Sequence, residues 1–238
     1  MTSKLVHNPR GNYRFLAAEG RPFSGGAIAD SGFDMAHATF ERPIPLQTGL
    51  EAAARHVAAS GRPAESIAGF ELRIPRPLSR AAFAEFNGPY VAALGRMGLE
   101  IGGLMPAGRT NVSPTIARVE QPCVFGFTFT VPSTRGRPAF LLSGSTEEVQ
   151  GDARAMLINI TDILDGRARE LGFRLSDATV IQLYAEVGVD TAAVAEALAA
   201  FGEAAVQGIK WFPSMPPIED LRYEIDARST GTESSIPV

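Results

Sequence analysis

Apolar residues along this chain fall into two alternating rhythms. Short runs have a period of two and longer stretches a period near 3.6, and these predict strands and helices in turn. YRFLAAE (13–19) and MAHATFE (35–41) read as strands around the glycine-rich turn region SGGAIADSG. A helix follows near 46–60, with Leu50, Ala53, Ala54, Val57 and Ala58 on one face. Gly61, Arg62 and Pro63 end it, because proline favours an extended residue before it. Next come a strand at 67–74 and a second helix with Ser79 as N-cap and Phe83, Phe86, Tyr90 and Leu94 on one face. Gly88 and Pro89 predict a kink or a late start in that helix. Two strands close the first half, TNVSPTIARVE (110–120) and CVFGFTFTV (123–131).

PSTRGRP (132–138) has the composition of a linker, and beyond it the order recurs. The strand AFLLSG (139–144) precedes a helix with Met156, Leu157, Ile160, Ile163 and Leu164 on one face. ATVIQLYA (178–185) is a strand, Val194, Leu198, Phe201 and Ala205 mark another helix, and LRYEIDA (221–227) is the last strand. One order of elements used twice, at a spacing of roughly 110 residues, predicts a tandem duplication of a small α+β unit. The expected units are 1–132 and 133–228, with 229–238 a disordered tail.

Composition narrows the function. Lys and Arg number 22 against 26 Asp and Glu, a net charge of −4, which disfavours nucleic acid and anionic membrane surfaces as partners. The lone Cys123 excludes an intrachain disulfide framework, and His7, His37 and His56 are too scattered for a zinc site of the HxxxH kind. No segment has the roughly 18 consecutive apolar residues of a membrane span. The first residues, MTSKLVHNPRGNYRF, lack the apolar stretch and cleavage site of a signal peptide, so a cytoplasmic protein is expected.

Four motifs in order, PFSGG (22–26), QTGLEAAARHVAASG (47–61), AAFAEFNGPY (81–90) and PAGRTNV (106–112), resemble those of the RidA/YjgF family. LLSGS (141–145), MLINI (156–160), LSDATV (175–180) and YEIDA (223–227) resemble the same family more loosely. The resemblance implies two chorismate-mutase-like α+β units, with helices packed on one face of mixed sheets. It also implies a homo-oligomer, most simply a trimer, with pockets between units. The activity it implies is hydrolysis of reactive imines and enamines to keto acids, without metal or organic cofactor.

Arg109 matches the family arginine that holds the ligand carboxylate, and a planar guanidinium is suited to bidentate carboxylate recognition. The family glutamate that orients water falls at Gly126 in the first half, where CVFGFTFTV has no acid. In the second half it falls at Glu224, with Asp226 two residues on and on the same strand face. There the arginine position holds Lys210, a point charge in place of a fork, beside Trp211. Phe23 matches a pocket aromatic without its hydroxyl, and Asn87 and Tyr90 match a bracing helix. Cys123 has no histidine near it in sequence, and Ser24 and Ser143 sit in glycine-flanked turns without a nucleophile elbow.

The expected function is therefore cofactor-free hydrolytic deamination of a small carboxylate-bearing imine or enamine. Arg109 and Glu224 would be brought to one composite site. The alternatives are a non-catalytic protein binding a small metabolite, and a hydrolase acting on a cyclic, chorismate-like carboxylate.

Overall fold

The computed structural model describes residues 3–18, 23–145 and 152–238. The first part of the chain forms β1 (Ser3–Asn8), β2 (Tyr13–Ala18), β3 (Phe23–Ser24), β4 (Gly26–Ala29), β5 (Phe33–Pro45), α1 (Leu46–Ala59), β6 (Ile67–Arg73), α2 (Arg80–Arg96), β7 (Met105–Pro114) and β8 (Cys123–Pro132). It continues with β9 (Phe140–Ser145), α3 (Ala153–Leu171), β10 (Val180–Ala185), α4 (Thr191–Leu198), β11 (Lys210–Met215), β12 (Glu224–Ser229) and β13 (Thr232–Ile236). Side-chain caps set three helix starts: Ser79 accepts from the Ala82 N–H, Asp152 from Ala155, and Asp190 from Ala192 and Ala193.

The strands join one mixed sheet in the order β1-β2-β4-β9-β12-β10-β11-β7-β6-β8-β5-β13, with β3 off this path against β7. Within it, β7-β6-β8-β5 and β11-β10-β12-β9 have the same order and the same senses. β6 and β7 are parallel, as are β10 and β11, and the other pairs are antiparallel. The two quartets meet where β11 pairs antiparallel with β7, at Ser214 with Pro114 and Met215 with Ser113.

Strand alternation decides what each face carries. Phe70 and Leu72 of β6 pack under α1 and α2, while Ile181, Leu183, Ile225 and Ala227 pack under α3 and α4. The opposite faces approach each other. The Tyr13 hydroxyl of β2 donates to the Ile67 carbonyl at 2.8 Å. A Cβ at Gly69 or Gly108 would lie 3.2 or 3.0 Å from the Leu141 side chain, so glycine permits this contact. Between these faces, beside an apolar cluster of Tyr13, Phe15, Met35 and Leu141, stand Glu71, Arg73, Thr110, Gln182, Glu224, Asp226 and Arg228, all buried.

Several expectations change. A helix pair covers one face of each half, as expected of the units, but the strands join one large mixed sheet in place of two separate ones. The strand expected at 110–120 is β7 and ends at Pro114; Thr115 then donates to the Pro213 carbonyl as the chain leaves the ladder. α2 starts at Arg80 and runs through Pro89 to Arg96. Pro89 offers no N–H to the Glu85 carbonyl, which lies at an exposed position open to solvent. The helix expected to include Phe201 and Ala205 stops being α-helical at Leu198, and Gly202 takes a non-helical φ of 52° in the 3₁₀ turns that follow. The tail expected to be disordered contains β13, parallel to β5 from Thr232 beside Ala36 to Ile236 beside Phe40. The turn into β13 passes so close to Asp34 that a Cβ at Gly231 would lie 2.3 Å from its carboxylate. Among the described residues no helix is long and apolar enough to cross a membrane.

Candidate active site

β12 turns two carboxylates onto the face that meets the other half of the sheet. Glu224 is 4% exposed and Asp226 7%. Ser143 on β9 donates to Glu224 Oε1 at 3.3 Å, and Thr110 on β7 donates to Asp226 Oδ2. Burial pushes the Glu224 carboxyl well above the usual range, and the neighbouring Asp226 charge adds to this. The Ser143 hydrogen bond and the charges of Arg109 and Arg73 act the other way. Asp226 is pushed up to about 6, chiefly by burial with the Glu71 charge adding to it, and held back by the hydroxyls of Thr110 and Ser143 and by Arg228. Two adjacent buried carboxyls share their protons, so near neutral pH one is an acid while the other is a base.

Arg109 lies on β7 between β3 and β11. β3 pairs with β7 at Met105 and Gly108, and β11 pairs at Ser113 and Pro114. Among the described residues no ladder pairing covers that side of β7 across Arg109 to Val112. The guanidinium donates to Asn87 Oδ1 of α2 at 2.5 Å. Its carbon stands 4.1 Å from the Phe23 ring centroid, 4.9 Å from Phe83 and 5.3 Å from Tyr90. Burial lowers its pKa to about 10, with Tyr90 and Glu224 opposing, so it is charged near neutral pH. Arg73, 5% exposed, is a second cation felt by Glu224. It lies 4.3 Å from the Phe125 centroid, and its Nη2 has no hydrogen-bond partner among the described residues. A guanidinium on an aromatic bed beside a protonated carboxyl can hold an anionic ligand while a proton is delivered to it.

A family model described as 2-aminomuconate deaminase CnbZ matches residues 5–234. The chain belongs to this family. A 2-amino-5-chloromuconate deaminase of Comamonas testosteroni is 32% identical over 253 residues, covering 98% of this chain and 99% of that protein. The chain is thus an enzyme of the deaminase, hydrolase-like kind. A solved chorismatase shares the fold at 13% identity with a TM-score of 0.51, covering 91% of this chain and 81% of its own. A cyanuric acid hydrolase from A. caulinodans gives a TM-score of 0.42 at 12% identity over 84% and 68% of the two chains.

Membership of the CnbZ family corrects the RidA/YjgF resemblance. Those motifs are short and mostly describe turns and helix starts, which many folds share. The match running from residue 5 to 234 decides against them. The trimer expected from that resemblance loses the argument that carried it.

Of the residues singled out in the sequence, the fold gathers Arg109, Phe23, Asn87 and Tyr90, and brings Glu224 within reach of the Arg109 charge. It does not bring Lys210 or Trp211 to this group. Lys210 lies 3.5 Å from Glu233 and lines a separate cavity with His37 and Phe212, and Trp211 donates to the Ala185 carbonyl at 3.0 Å. Gly126 faces β5, where a Cβ would lie 3.0 Å from the Ala38 carbonyl, so no acid fits there. Burial pushes the Cys123 thiol up, which disfavours the nucleophilic thiolate. Ser24 bonds to its own turn, but Ser143 belongs to the carboxyl pair. Thr110 and Arg73 were missed; the charged Glu71 and Arg73 alternating with Phe70 and Leu72 were the available signal.

Behind the pair lies a paired network that fastens β13. His37 contacts Glu71 at 2.9 Å and Glu233 at 3.1 Å, and Arg228 contacts the same two acids at 3.3 and 2.9 Å. Burial works against the His37 cation, but Glu233 and Glu71 hold its pKa above the usual value. A raised histidine contributes its stability in full below its unfolded pKa of about 6.5 and loses it as pH rises through the folded value. His37→Gln is therefore expected to lose about 1–3 kcal/mol of stability at pH 5.5, with a smaller loss as the medium becomes alkaline. Urea unfolding across a pH series reads this, and a loss independent of pH would mean that His37 is neutral in the fold.

Proposed function

We propose that this enzyme hydrolyses the C–N bond of an enamine, or of its imine tautomer, carrying carboxylate, a substrate of the aminomuconate type that the family description and the relative's name give for those proteins. The observation that carries the reading is Glu224, a buried carboxyl holding its proton within reach of the Arg109 charge. Arg109 takes a substrate carboxylate as a fork. Glu224 gives its proton to the enamine carbon, the C=N bond so formed accepts water, and the carbinolamine expels ammonia to leave a 2-oxo acid. Arg73 as a second cation favours a dicarboxylate over a monocarboxylate.

The same order in the two strand quartets supports a duplicated chain with its seam near residues 132–133. The cyclic-carboxylate alternative has only the 13% identical chorismatase fold behind it, and fold does not carry function. To test the reading, 2-aminomuconate and 2-aminoacrylate are generated in situ, and ammonia is followed against an enzyme-free control. The expected result is accelerated ammonia release from 2-aminomuconate, with a lower kcat/KM for the monocarboxylate. Release no faster than the control from either substrate would overturn it.

A further inference from the structure

Where the sheet halves face each other, Gly69, Glu71, Gly108, Thr110, Ser143 and Asp226 help to line a cavity of about 30 Å³. A water needs about 10–15 Å³ by the same measure, so one or two fit and a substrate does not. The lining asks for a donor. Asp226 Oδ1 and Glu71 Oε2 are buried acceptors with no hydrogen-bond partner among the described residues. The closest cation to Glu71 Oε2, Arg73 Nη2, stands at 3.5 Å, too long for a hydrogen bond of ordinary strength. Meanwhile Thr110 spends its hydroxyl proton on the other Asp226 oxygen, which leaves Oδ1 as the oxygen able to take a further donor. Arg109 lines the same cavity, and Ser143 connects it to Glu224.

We propose that this cavity is the seat of the hydrolytic water and that Asp226 is the base that takes its proton, aimed by Thr110. This rests on the deaminase reading above and adds a residue to it. Glu224 protonates the enamine carbon. A water O–H bond then breaks, its oxygen bonds to the iminium carbon, and its proton passes to the Asp226 carboxylate. Asp226 returns that proton to nitrogen, the C–N bond breaks, and ammonia leaves. As the carbonyl forms, the hydroxyl proton goes back to Glu224, so both carboxyls end as they began.

The titratable and charged groups around Asp226 are Glu224 and Arg228 on its own strand, Glu71 from β6 and Tyr184 from β10; Arg73 and Arg109 act on the neighbouring Glu224, and β9 and β10 also present neutral Ser143 and Gln182. Thr110 favours the ionised Asp226 by a direct hydrogen bond from the other sheet half, the larger of two such effects, with Ser143 on β9 adding to it.

Three variants and a crystal structure of the full chain test this. Diffraction to high resolution is expected to place an ordered water within about 3 Å of Asp226 Oδ1. Asp226→Asn, nearly isosteric, is expected to lower kcat by about 100-fold or more with KM within a few-fold, the size of a lost general base. Thr110→Val is expected to lower kcat and move the acidic limb of the pH profile upwards, because the bond that favoured the carboxylate is gone; Thr110→Ser restores both. A dry cavity, an Asp226→Asn enzyme with wild-type kcat, or a Thr110→Val loss with an unmoved limb would overturn the proposal. If the wild type released no ammonia from any substrate, the deaminase reading would fall, while the diffraction experiment would still decide the water site.

Discussion

Glu224→Gln is expected to reduce kcat by about 10³-fold, within the range a lost general acid or base produces, while leaving the fold intact. The amide keeps the shape and still meets Ser143, but it has no proton of carboxylic acidity to give. KM should change little, because the group acts on the reacting carbon and does not hold the carboxylate. The same variant is expected to be more stable than the wild type at neutral pH. The folded Glu224 carboxyl titrates well above its unfolded value of about 4.3. Its contribution to stability is then whole below that value and is lost as pH rises towards the folded pKa. Glutamine cannot ionise and escapes that loss. For a chain of this size each kcal/mol corresponds to a Tm rise of about 2–4 °C. A variant that lost activity and stability together at pH 8 would point to a structural role for Glu224.

The fold and the site differ in how far the sequence reveals them. The helices were legible because their apolar spacing is local: Leu50, Ala53 and Val57 are buried as the period requires, as are Met156, Leu157, Ile160 and Leu164. Glu224 and Arg109 were picked out through the RidA/YjgF resemblance that the family match corrects, and what the structure adds is that the buried Glu224 feels the Arg109 charge. β13 was not, since TESSI has no apolar alternation and four of its five residues are exposed. What holds it is distant in sequence: the backbone of β5, and Glu233 meeting His37 and Arg228.

Facing of the sheet halves was equally hidden. The alternation in FELR puts Glu71 and Arg73 on the face away from the helices, but nothing local announces that this face is shared with Asp226 and Glu224. That follows only once β7 pairs with β11 and Leu141 seats against Gly69 and Gly108. Lys210 failed for the same reason in reverse. Its position in an assumed repeat placed it at a ligand site, whereas the parallel pairing of β11 with β10 sets it beside Gln182, at the Glu233 cavity.

Arg109→Ala is expected to reduce kcat/KM for an aminomuconate-type substrate by about 10²–10³-fold, most of it in KM. Removing one partner of a buried, hydrogen-bonded charge pair typically costs about 3–5 kcal/mol, and the substrate carboxylate changes little in charge during the reaction. Arg109→Lys should recover part of the loss, since it keeps the charge without the bidentate fork and without the planar contact on Phe23 and Phe83. A second readout separates binding from folding. The Arg109 charge lowers the Glu224 pKa from what burial alone would give, so its removal lets that pKa rise further. If Glu224 must be protonated to act, the basic limb of the pH profile moves upwards in Arg109→Ala and stays near the wild-type position in Arg109→Lys. Steady-state kinetics from pH 6 to 10 on both variants would decide it. An unshifted limb together with a raised KM would keep Arg109 as the carboxylate clamp and remove it from the electrostatics of the acid. Unchanged kinetics in both variants would remove it from the site.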